Sequence, residues 1–532
     1  MIVKELSKFI LNLNYYDIPK TAIKQAKLCF LDFLGVTKRG FHEESTQIAM
    51  KSMEIFNNFN RDFDNKKSSI IGGAYSNIAN ASFINGISAH CLDLDDGHRF
   101  AQLHPGCVVF PTAVAIAEAN NIDGRKFLEA VVCGYEIAIV LGILASPNHR
   151  NQGFHSTGTI GTFAATSVAS KLLNLSLKET INALGICGTQ SSGFLEVDHQ
   201  GTMGKQLHAG KAVYNGILSG YLAKNGFKGP ESIVDGDEGF LKAMSIDFFK
   251  DLNENKNFKD LNEKGIDFID YLSSYLEESI GKFHINEVYF KKYPFCRHIH
   301  SSIDATLNIN SKFDFDIEDI ERIIVKTYKI ATEHNNFNPK NNEEIKQSLP
   351  YAVAVAIVEN SLNLDLFENN NNNINNTNNN LNYIINKDNN KDNNNFNNNC
   401  SSKYNNNYNN EDNNNFKNKY NNKYNDINFK NVLMKDILDK IVIEENEEFT
   451  KLTPKYRPSK VIIKTNNGIY EDFVKLPLGE SENPLSKKDI LEKFKNINLN
   501  SFDLEKLAYI DSCIDNIEDY NISEVMKNFH NI

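Results

Sequence analysis

One short stretch of the sequence carries a high density of ionisable side chains. It reads HCLDLDDGHRFAQLHPG and covers residues 90–106, with Gly97 permitting a turn in its middle. Carboxylates beside imidazoles can move each other's pKa values toward neutrality, which general acid–base catalysis requires. The stretch therefore predicts an acid–base site, with a capped and solvated loop as the alternative interpretation. The side chains concerned are Asp93, Asp95, Asp96, His98, Arg99 and His104.

A metal site is a second alternative for this stretch, because carboxylates and imidazoles are common metal ligands. The sequence has no H-x-x-x-H pair and no spacing typical of a calcium loop. Its eight cysteines form no C-x-x-C pair of the kind found in zinc and iron–sulfur sites. We therefore expect no bound metal.

Two further segments place polar side chains at predicted helix starts. In NQGFHSTGTIGTFAAT, His155 and Thr157 lie where the backbone N–H groups of a helix start can hold a carboxylate. In DHQGTMGKQLHAGKA, Lys205 and His208 are three residues apart and share one helix face. Neighbouring glycines predict close packing and a partly buried ammonium group that needs an anion. Simple packing and a solvated lysine are the alternative interpretations.

A fourth segment, YFKKYPFCRHIHSSIDA, gathers cationic side chains around a Tyr-Pro break. Lys291, Arg297 and His298 belong to it, and such a cluster at a domain boundary is suited to holding a carboxylate. A solvated basic turn is an equally acceptable interpretation of this segment taken alone.

Length and composition limit the class of protein. A chain of 532 residues is long enough for two folded domains, and a net charge of -11 without a long basic run predicts no nucleic-acid or membrane partner. The most apolar stretch, 127–145, contains Glu129 and Glu136, so we expect a buried helix there. Dispersed cysteines and an N-terminus without a signal-peptide pattern predict a cytoplasmic protein that acts on a small molecule.

The spacing of apolar residues changes along the chain. Helical spacing prevails over 1–283 and returns over 484–532, whereas 284–483 contains short extended runs, the first over 286–290. The second region is therefore predicted to be an α+β domain, and Asn467-Gly468 within it predicts a type I′ hairpin. Residues 369–428 are dominated by Asn and predict a disordered insertion in that domain. The expected fold class is mainly α.

Six stretches, in their order along the chain, resemble the MmgE/PrpD family. They are LDLDDGH…HPG, GFHSTGTIGTFAAT, ALGICGTQSSG, GTMGKQLHAGKA, FKKYPFCRHIHSSIDA and SLPYAVAVA. The resemblance implies a large all-α domain built from both chain ends, a smaller α+β lid domain, a homodimer and a cofactor-free site between the domains. It implies as catalytic residues Asp93, His104, His155, Lys205 and Lys291. As substrate-binding residues we expect His98, Arg99, Thr157, His208, Arg297 and His298.

The family resemblance also implies the type of reaction, which is proton transfer next to a carboxylate of a small di- or tricarboxylate. His104, supported by Asp93, is expected to move the proton. Lyase chemistry similar to that of 2-methylcitrate dehydratase is the preferred expectation. Similarity to iminodisuccinate epimerase, to cis-aconitate decarboxylase or to a non-catalytic carboxylate-binding protein gives the alternatives.

Two positions depart from the family pattern. Gly97 stands where the dehydratases and decarboxylases are expected to carry Thr, and Cys296 stands where the decarboxylases are expected to carry His. Both departures argue against decarboxylation of cis-aconitate.

Overall fold

The computed structural model describes residues 2–57, 67–245, 268–364, 366–367, 427–498 and 502–530. The chain divides into two units. Unit 1 comprises Met1–His300, Leu452–Arg457 and Lys475–Ile532, and unit 2 comprises Ser301–Lys451 and Pro458–Val474. The predicted Asn-rich insertion lies outside the described residues as far as position 426.

Helices account for most of the described residues, which confirms the expected fold class, mainly α. In chain order the α-helices are α1 (Ile2–Asn12), α2 (Lys20–Gly40), α3 (Glu44–Asn57), α4 (Ile78–His90), α5 (Gly106–Ala119), α6 (Gly124–Ala145), α7 (Asn148–Asn151), α8 (Ser156–Leu172), α9 (Leu177–Gly188), α10 (Glu196–His199), α11 (Gly204–Lys224), α12 (Phe240–Met244), α13 (Phe268–Ser279), α14 (His300–Lys312), α15 (Lys329–Thr332), α16 (Asn342–Lys346), α17 (Leu349–Glu359), α18 (Ile427–Asp439), α19 (Glu447–Leu452), α20 (Lys487–Ile497), α21 (Leu504–Asp515) and α22 (Ile522–Met526). The strands are β1 (Lys67–Ser69), β2 (Tyr75–Asn77), β3 (Ile320–Thr327), β4 (Ile441–Glu445), β5 (Ser459–Thr465) and β6 (Gly468–Val474).

The core of unit 1 is a group of tightly packed helices, α4, α5, α8 and α11. Every residue of α8 is buried. A Cβ added to Gly86 of α4 would lie 2.9 Å from the Cα of Gly210 in α11, so these two helices approach each other along their backbones. The close approach brings Lys205, at the start of α11, within hydrogen-bonding distance of Asp93, which follows α4.

Helix α6 contains the apolar stretch for which we expected a buried helix. Among the described helices it alone is long and apolar enough to cross a membrane. Of its most apolar 18-residue stretch, 94% is buried within the structure. The carboxylate of Glu136 accepts the main-chain N–H groups of Gly281, Phe283 and His284 at 2.8, 3.2 and 2.7 Å. These bonds satisfy a buried acidic group within unit 1, and the expectation of a buried helix is confirmed.

The segment that follows the first helical region departs from the sequence prediction. Instead of an extended run over 286–290, the chain forms a 3₁₀ helix, His284–Glu287, and then a single antiparallel bridge between Tyr289 and Gly97. The main-chain N–H of Phe290 donates to the carbonyl of Gly479 at 2.9 Å. Backbone pairing thus joins 284–300 and 475–483 to unit 1, although the sequence pattern had placed both segments in the lid domain.

Unit 2 contains a four-stranded sheet with the strand order β4-β3-β5-β6. Strand β3 pairs in parallel with β4 and antiparallel with β5, and β5 pairs antiparallel with β6. Alternate residues of β5 are buried, as expected for a strand with one face toward a core. Helix α17 is also buried along most of its length.

The predicted hairpin joins β5 and β6, but its turn differs from the prediction. Thr465 pairs with Gly468, so the two turn residues are Asn466 and Asn467. Neither they nor Gly468 have the positive φ that a type I′ turn requires, so that turn type was wrong. Both asparagine side chains donate to the carboxylate of Asp319, at 3.0 and 3.2 Å, and this anchor holds the turn.

Candidate active site

The acidic stretch forms a buried loop of unit 1 between α4 and α5. Asp93, Asp95 and Asp96 are each less than 5% exposed, so the loop is not the solvated turn of the alternative interpretation. Asp93 has φ 50°, in the left-handed region where Asp and Asn are among the better tolerated non-glycine residues. The loop conformation therefore turns its carboxylates inward.

Asp93 joins two lysines that come from distant parts of the chain. Its Oδ1 accepts from Nζ of Lys205 at 2.9 Å and from Nζ of Lys291 at 2.8 Å. Burial opposes the charged carboxylate, but the two ammonium groups outweigh burial and hold the pKa of Asp93 well below its ordinary value. Asp93 Oδ2 is buried without a hydrogen-bond partner in the described structure. The two ammonium groups thus share one carboxylate, and Asp95 and Asp198 act on Lys291 and Lys205 electrostatically.

His104 is oriented as a neutral base. Its Nδ1–H donates to the main-chain oxygen of Asp96 at 2.6 Å, and this bond leaves the lone pair on Nε2. Burial lowers the pKa of His104 to about 3, with the ammonium group of Lys291 adding to the effect and Asp95 opposing it. Its main-chain N–H donates to Oγ1 of Thr157 at 3.1 Å. An imidazole held in this way accepts a proton on Nε2 without first losing one.

His155 and His208 form a second imidazole pair in unit 1. His155 precedes the first residue of α8, and its Nδ1 lies 3.1 Å from Nδ1 of His208. Burial lowers the pKa of His155 well below its ordinary value and that of His208 to about 4, so both rings are neutral near pH 7. One Nδ1 must then carry a hydrogen that the other accepts. The protonation of His155 Nε2 is therefore linked to the tautomer of His208.

The structure thus brings together all five predicted catalytic residues, together with Thr157 and His208, within unit 1. Their catalytic roles stay predictions. Lys291 belongs to the same unit as its partners, whereas the sequence pattern had placed it in the lid domain.

Three predicted substrate-binding residues have protein partners instead of an open face. Nδ1 of His98 accepts the main-chain N–H of Ala101 at 3.1 Å, so its Nε2–H donates to Glu287 at 3.2 Å. Arg99 and Arg297 both donate to the buried carboxylate of Glu480, at 3.1 and 3.2 Å. These contacts hold the three side chains against other parts of unit 1, and their predicted roles in substrate binding stay predictions. The role of His298, which is half-buried next to Arg297, stays a prediction.

Sequence reasoning missed Glu480 and Tyr289. Arg99 and Arg297 both contact Glu480, and a guanidinium nitrogen of Arg457 lies 3.6 Å from the same carboxylate. The guanidinium groups of Arg297 and Arg457 also lie 4.7 and 5.5 Å from the ring centre of Tyr289. The Tyr289 ring in turn faces His104 edge-on at 6.5 Å between centroids. Glu480 follows a Leu-Gly pair in an otherwise ordinary polar segment, so no sequence signal marks it.

His90 was also missed, because it reads as the last residue of a helix. Its Nδ1 lies 2.8 Å from Oδ2 of Asp95. Its ring centre lies 5.0 Å from that of His104 and 5.7 Å from that of His155, nearly parallel to the latter. Its position between two predicted catalytic imidazoles makes it part of the candidate site.

A small internal cavity lies behind the loop. Asp32, Asp95, Asp96, Cys29 and Cys107 are among the residues that line it, and it has room for about one water molecule. Burial raises the pKa of Asp96 to about 7, although its carboxylate accepts hydrogen bonds from Tyr135 and from the main chain of Gly106. Buried carboxyl groups therefore lie beside apolar side chains, Phe33 and Ala89, in the wall of this cavity.

One group of side chains near the loop has the geometry to hold a metal ion. Ligand atoms of His90, Asp95 and Cys107 lie within 4.8 Å of one another. Burial raises the pKa of the Cys107 thiol well above its ordinary value, so a metal would have to displace its proton. The thiol instead donates to the carbonyl of His104 at 3.2 Å. The three residues fit zinc by ligand type, while their present hydrogen bonds compete with it.

Comparison with known families matches almost the whole described chain. The MmgE/PrpD N-terminal domain model matches residues 4–252, and the MmgE/PrpD C-terminal domain model matches residues 293–384 and 419–516. The chain belongs to the MmgE/PrpD family. The family predicted from the six motifs is therefore confirmed.

Several curated relatives of this family member are enzymes by name. The cis-aconitate decarboxylase of Mus musculus is 24% identical over 382 residues, which are 69% of this chain and 72% of the mouse protein. A cis-aconitate decarboxylase-like protein, oryM, of Aspergillus oryzae is 28% identical over 259 residues, and this chain spans about half (51%) of its length. A probable 2-methylcitrate dehydratase of Saccharomyces cerevisiae is 24% identical over 353 residues, 62% of each chain.

Proposed function

We propose that this MmgE/PrpD protein is a cofactor-independent lyase that removes a proton next to a carboxylate of a small di- or tricarboxylate. The observation that carries the proposal is the bond from His104 Nδ1–H to the carbonyl of Asp96, at 2.6 Å. Since this bond leaves the Nε2 lone pair available, His104 is the general base. The relatives whose names state a decarboxylase or a dehydratase support lyase chemistry.

Carboxylate recognition is assigned to Lys205 and Lys291. Both ammonium groups share the carboxylate of Asp93, and in this proposal they also attract an anionic group of the substrate. Removing a proton next to a carboxylate places negative charge on that carboxylate in the transition state. Fixed cations in a buried site stabilise such charge far more than water does.

Dehydration of a hydroxy acid similar to 2-methylcitrate is the preferred reaction. The C–H bond breaks as His104 Nε2 takes the proton, and the electron pair forms the C=C bond. The C–O bond of the neighbouring hydroxyl breaks, and a second acid delivers the proton that turns the leaving hydroxide into water. Burial lowers the pKa of His104 to about 3, so the imidazole is neutral at physiological pH and its Nε2 can accept the proton, but this pKa lies below the near-neutral value expected from the sequence.

Decarboxylation of cis-aconitate is the second candidate, and the relatives named as cis-aconitate decarboxylases support it. In that reaction a carboxylate leaves as CO2 and the resulting carbanion takes up a proton. The base described above would then have to begin the reaction protonated, against the effect of its burial. Cys296, which departs from the expected decarboxylase pattern alone, also favours dehydration, whereas Gly97 departs from the dehydratase and the decarboxylase pattern alike.

Epimerisation has weaker support, because it needs proton donors on both faces of one carbon. His98 was the sequence-based choice for the second donor, and both of its ring nitrogens bond to Ala101 and Glu287. The homodimer and the cytoplasmic location remain parts of the proposal. None of the seven cysteines among the described residues forms a disulfide.

The test is a substrate panel followed by proton NMR in D2O. The full chain is incubated with 2-methylcitrate, citrate, cis-aconitate and iminodisuccinate, with and without EDTA, and His104→Gln is the negative control. We expect conversion or deuterium incorporation for at least one tri- or dicarboxylate, independent of EDTA and lost in His104→Gln. Absence of both signals for all four compounds would falsify the enzymatic proposal.

A further inference from the structure

His90 has the surroundings of an acid–base residue rather than of a packed helix end. The side chain is 1% exposed, and its Nδ1 bonds to Oδ2 of Asp95 at 2.8 Å. Its Nε2 is buried and has no hydrogen-bond partner in the described structure. A buried imidazole nitrogen without a partner is costly unless a ligand or water meets it.

His90 and His104 have neighbouring rings, but their Nδ1–H groups donate to different kinds of acceptor. His104 donates to a neutral carbonyl, and the nearest oxygen of Asp95 is 3.5 Å away. His90 faces the ionised carboxylate of Asp95 directly. Burial opposes this charge, but His90 and His104 hold the pKa of Asp95 well below its ordinary value. An ionised carboxylate balances the positive charge of a doubly protonated imidazole, whereas a carbonyl oxygen offers only a partial negative charge.

We propose that His90, oriented by Asp95, is the second proton-transfer residue of the site and the acid that protonates the leaving group. This inference rests on the proposed lyase function and identifies the acid which that function requires. His104 Nε2 takes the proton from carbon, the C=C bond forms as the C–O bond breaks, and His90 Nε2–H gives its proton to the departing hydroxide. Water leaves, and each imidazole then exchanges with solvent to regain its starting state.

The rings of His90 and His104 are direct neighbours, with their centroids 5.0 Å apart, so one substrate bound beside the pair can exchange protons with both. Two further titratable groups of the described residues lie close to His90. The ring of His155 stacks on it, and the thiol of Cys107 lies within 4.8 Å of one of its ring nitrogens. His208 interacts with His90 electrostatically, and each of these imidazoles disfavours charge on its neighbours. His90 and His104 are therefore distinguished by their hydrogen-bond acceptors, the carboxylate of Asp95 for His90 and the carbonyl of Asp96 for His104.

Steady-state and exchange measurements on His90→Gln test the inference. Loss of a general acid lowers kcat by about 10²–10⁴-fold, while KM changes little because substrate carboxylates still meet Lys205 and Lys291. Proton abstraction by His104 should persist, so deuterium incorporation from D2O into recovered substrate should continue while product formation stops. Asp95→Asn, which alters the positioning residue, should give a smaller loss and shift the pH profile of kcat.

His149→Gln is the matched control, because His149 is another fully buried histidine of unit 1 with two bonds of its own, to Met244 and Thr159. Thermal transitions of all variants show whether a loss of activity follows a loss of folded protein. Equal losses of activity per folded molecule in His90→Gln and His149→Gln, or full activity of His90→Gln, would overturn the inference. Loss of exchange together with turnover in His90→Gln would also overturn it, because His90 would then act in the abstraction step.

A second measurement separates this inference from the proposed function. Propane-1,2,3-tricarboxylate has no leaving group, and it serves as the probe for ¹⁵N NMR of the imidazoles, with His90 signals assigned by their loss in His90→Gln. We expect Nε2 of His90 to shift when the probe binds, even if none of the four panel compounds is turned over. An unchanged Nε2 signal with bound probe contradicts the inference, as does a stoichiometric zinc ion lost on Cys107→Ala.

Discussion

The ammonium group of Lys291 donates to both the side chain and the main chain of Asp93, at 2.8 Å to Oδ1 and 2.9 Å to the carbonyl oxygen. The two residues are 198 positions apart. Asp93 has a left-handed backbone, so its conformation is held by this contact and by Lys205 rather than by local preference. The charge of the site and the shape of its loop therefore depend on the same bonds.

Lys291→Met is predicted to affect catalysis more than folding. Removing one cation that stabilises developing negative charge should lower kcat by about 10²–10³-fold. Breaking a buried ion pair usually costs about 3–5 kcal/mol, and we expect less here because Lys205 still neutralises Asp93. Kinetics and urea unfolding measure the two effects. Lys292→Met, which changes an exposed neighbour, is the control, and equal kinetic losses in both variants would contradict the prediction.

The catalytic motifs could be predicted from the sequence because they combine several chemical signals in short segments. Asp93, His104 and Lys205 each lie in a stretch where glycines and ionisable residues occur together, and the structure brings all three into one cluster. The same reasoning assigned His98 and Arg99 to the substrate. The sequence does not reveal that His98 bonds to Glu287 and that Arg99 bonds to Glu480, because both glutamates are distant along the chain.

The helix and strand content was also predictable, whereas the role of the segment around Tyr289 was not. A short apolar run predicts an extended conformation, but two backbone bonds to Gly97 decide which unit it joins. His90 illustrates the same limit at the site. Its partner Asp95 is only five residues away, yet the bond depends on how the loop turns after α4. Such tertiary contacts leave no periodic pattern in the sequence.

Asp96 predicts a pH-dependent stability difference. Burial raises its pKa in the folded state to about 7, above the ordinary value of 3.8, so folding favours its protonated form. This contribution is fully present below about pH 4 and is lost as the pH rises through about 7. Asp96→Asn keeps a neutral group, so its stability relative to the unaltered protein should rise between pH 4 and pH 7, by roughly 4 kcal/mol at most.

Urea unfolding at pH 4.5, 6 and 7.5 measures this difference. Glu492→Gln, which removes an exposed carboxylate from α20, controls for the change in net charge. A stability difference for Asp96→Asn that stays constant or falls as the pH rises would show that Asp96 is ionised in the folded state throughout.

Glu480→Gln is predicted to destabilise unit 1 strongly. Its buried carboxylate meets Arg99 at 3.1 Å, Arg297 at 3.2 Å and Arg457 at 3.6 Å, and a neutral amide leaves these guanidinium groups without their shared counter-charge. Removing one partner of a buried ion pair costs about 3–5 kcal/mol. Glu482→Gln is the matched control, because its half-exposed side chain also pairs with Arg99, and we expect about 0–1 kcal/mol. Thermal unfolding compares the two, and similar losses would rule out this role for Glu480.

Gly97→Ala tests the contact between the acidic loop and Tyr289. A Cβ at Gly97 would lie 2.3 Å from the Tyr289 hydroxyl oxygen and 2.5 Å from the ring carbon that carries it, so the loop or the ring must move. Overpacking of this kind costs about 1–3 kcal/mol. Movement of the loop also displaces the Asp96 carbonyl that orients His104, and kcat should fall with stability.

The double variant Gly97→Ala, Tyr289→Leu separates the clash from other effects of the added methyl group. If the two side chains collide, the loss of stability in the double variant is smaller than the sum of the two single losses. Gly468→Ala is the control, because its Cβ would meet no atom closer than 3.5 Å. Additive losses in the double-variant cycle would mean that Tyr289 does not occupy the space beside Gly97, and the loop would owe its shape to Asp93 and its lysines alone.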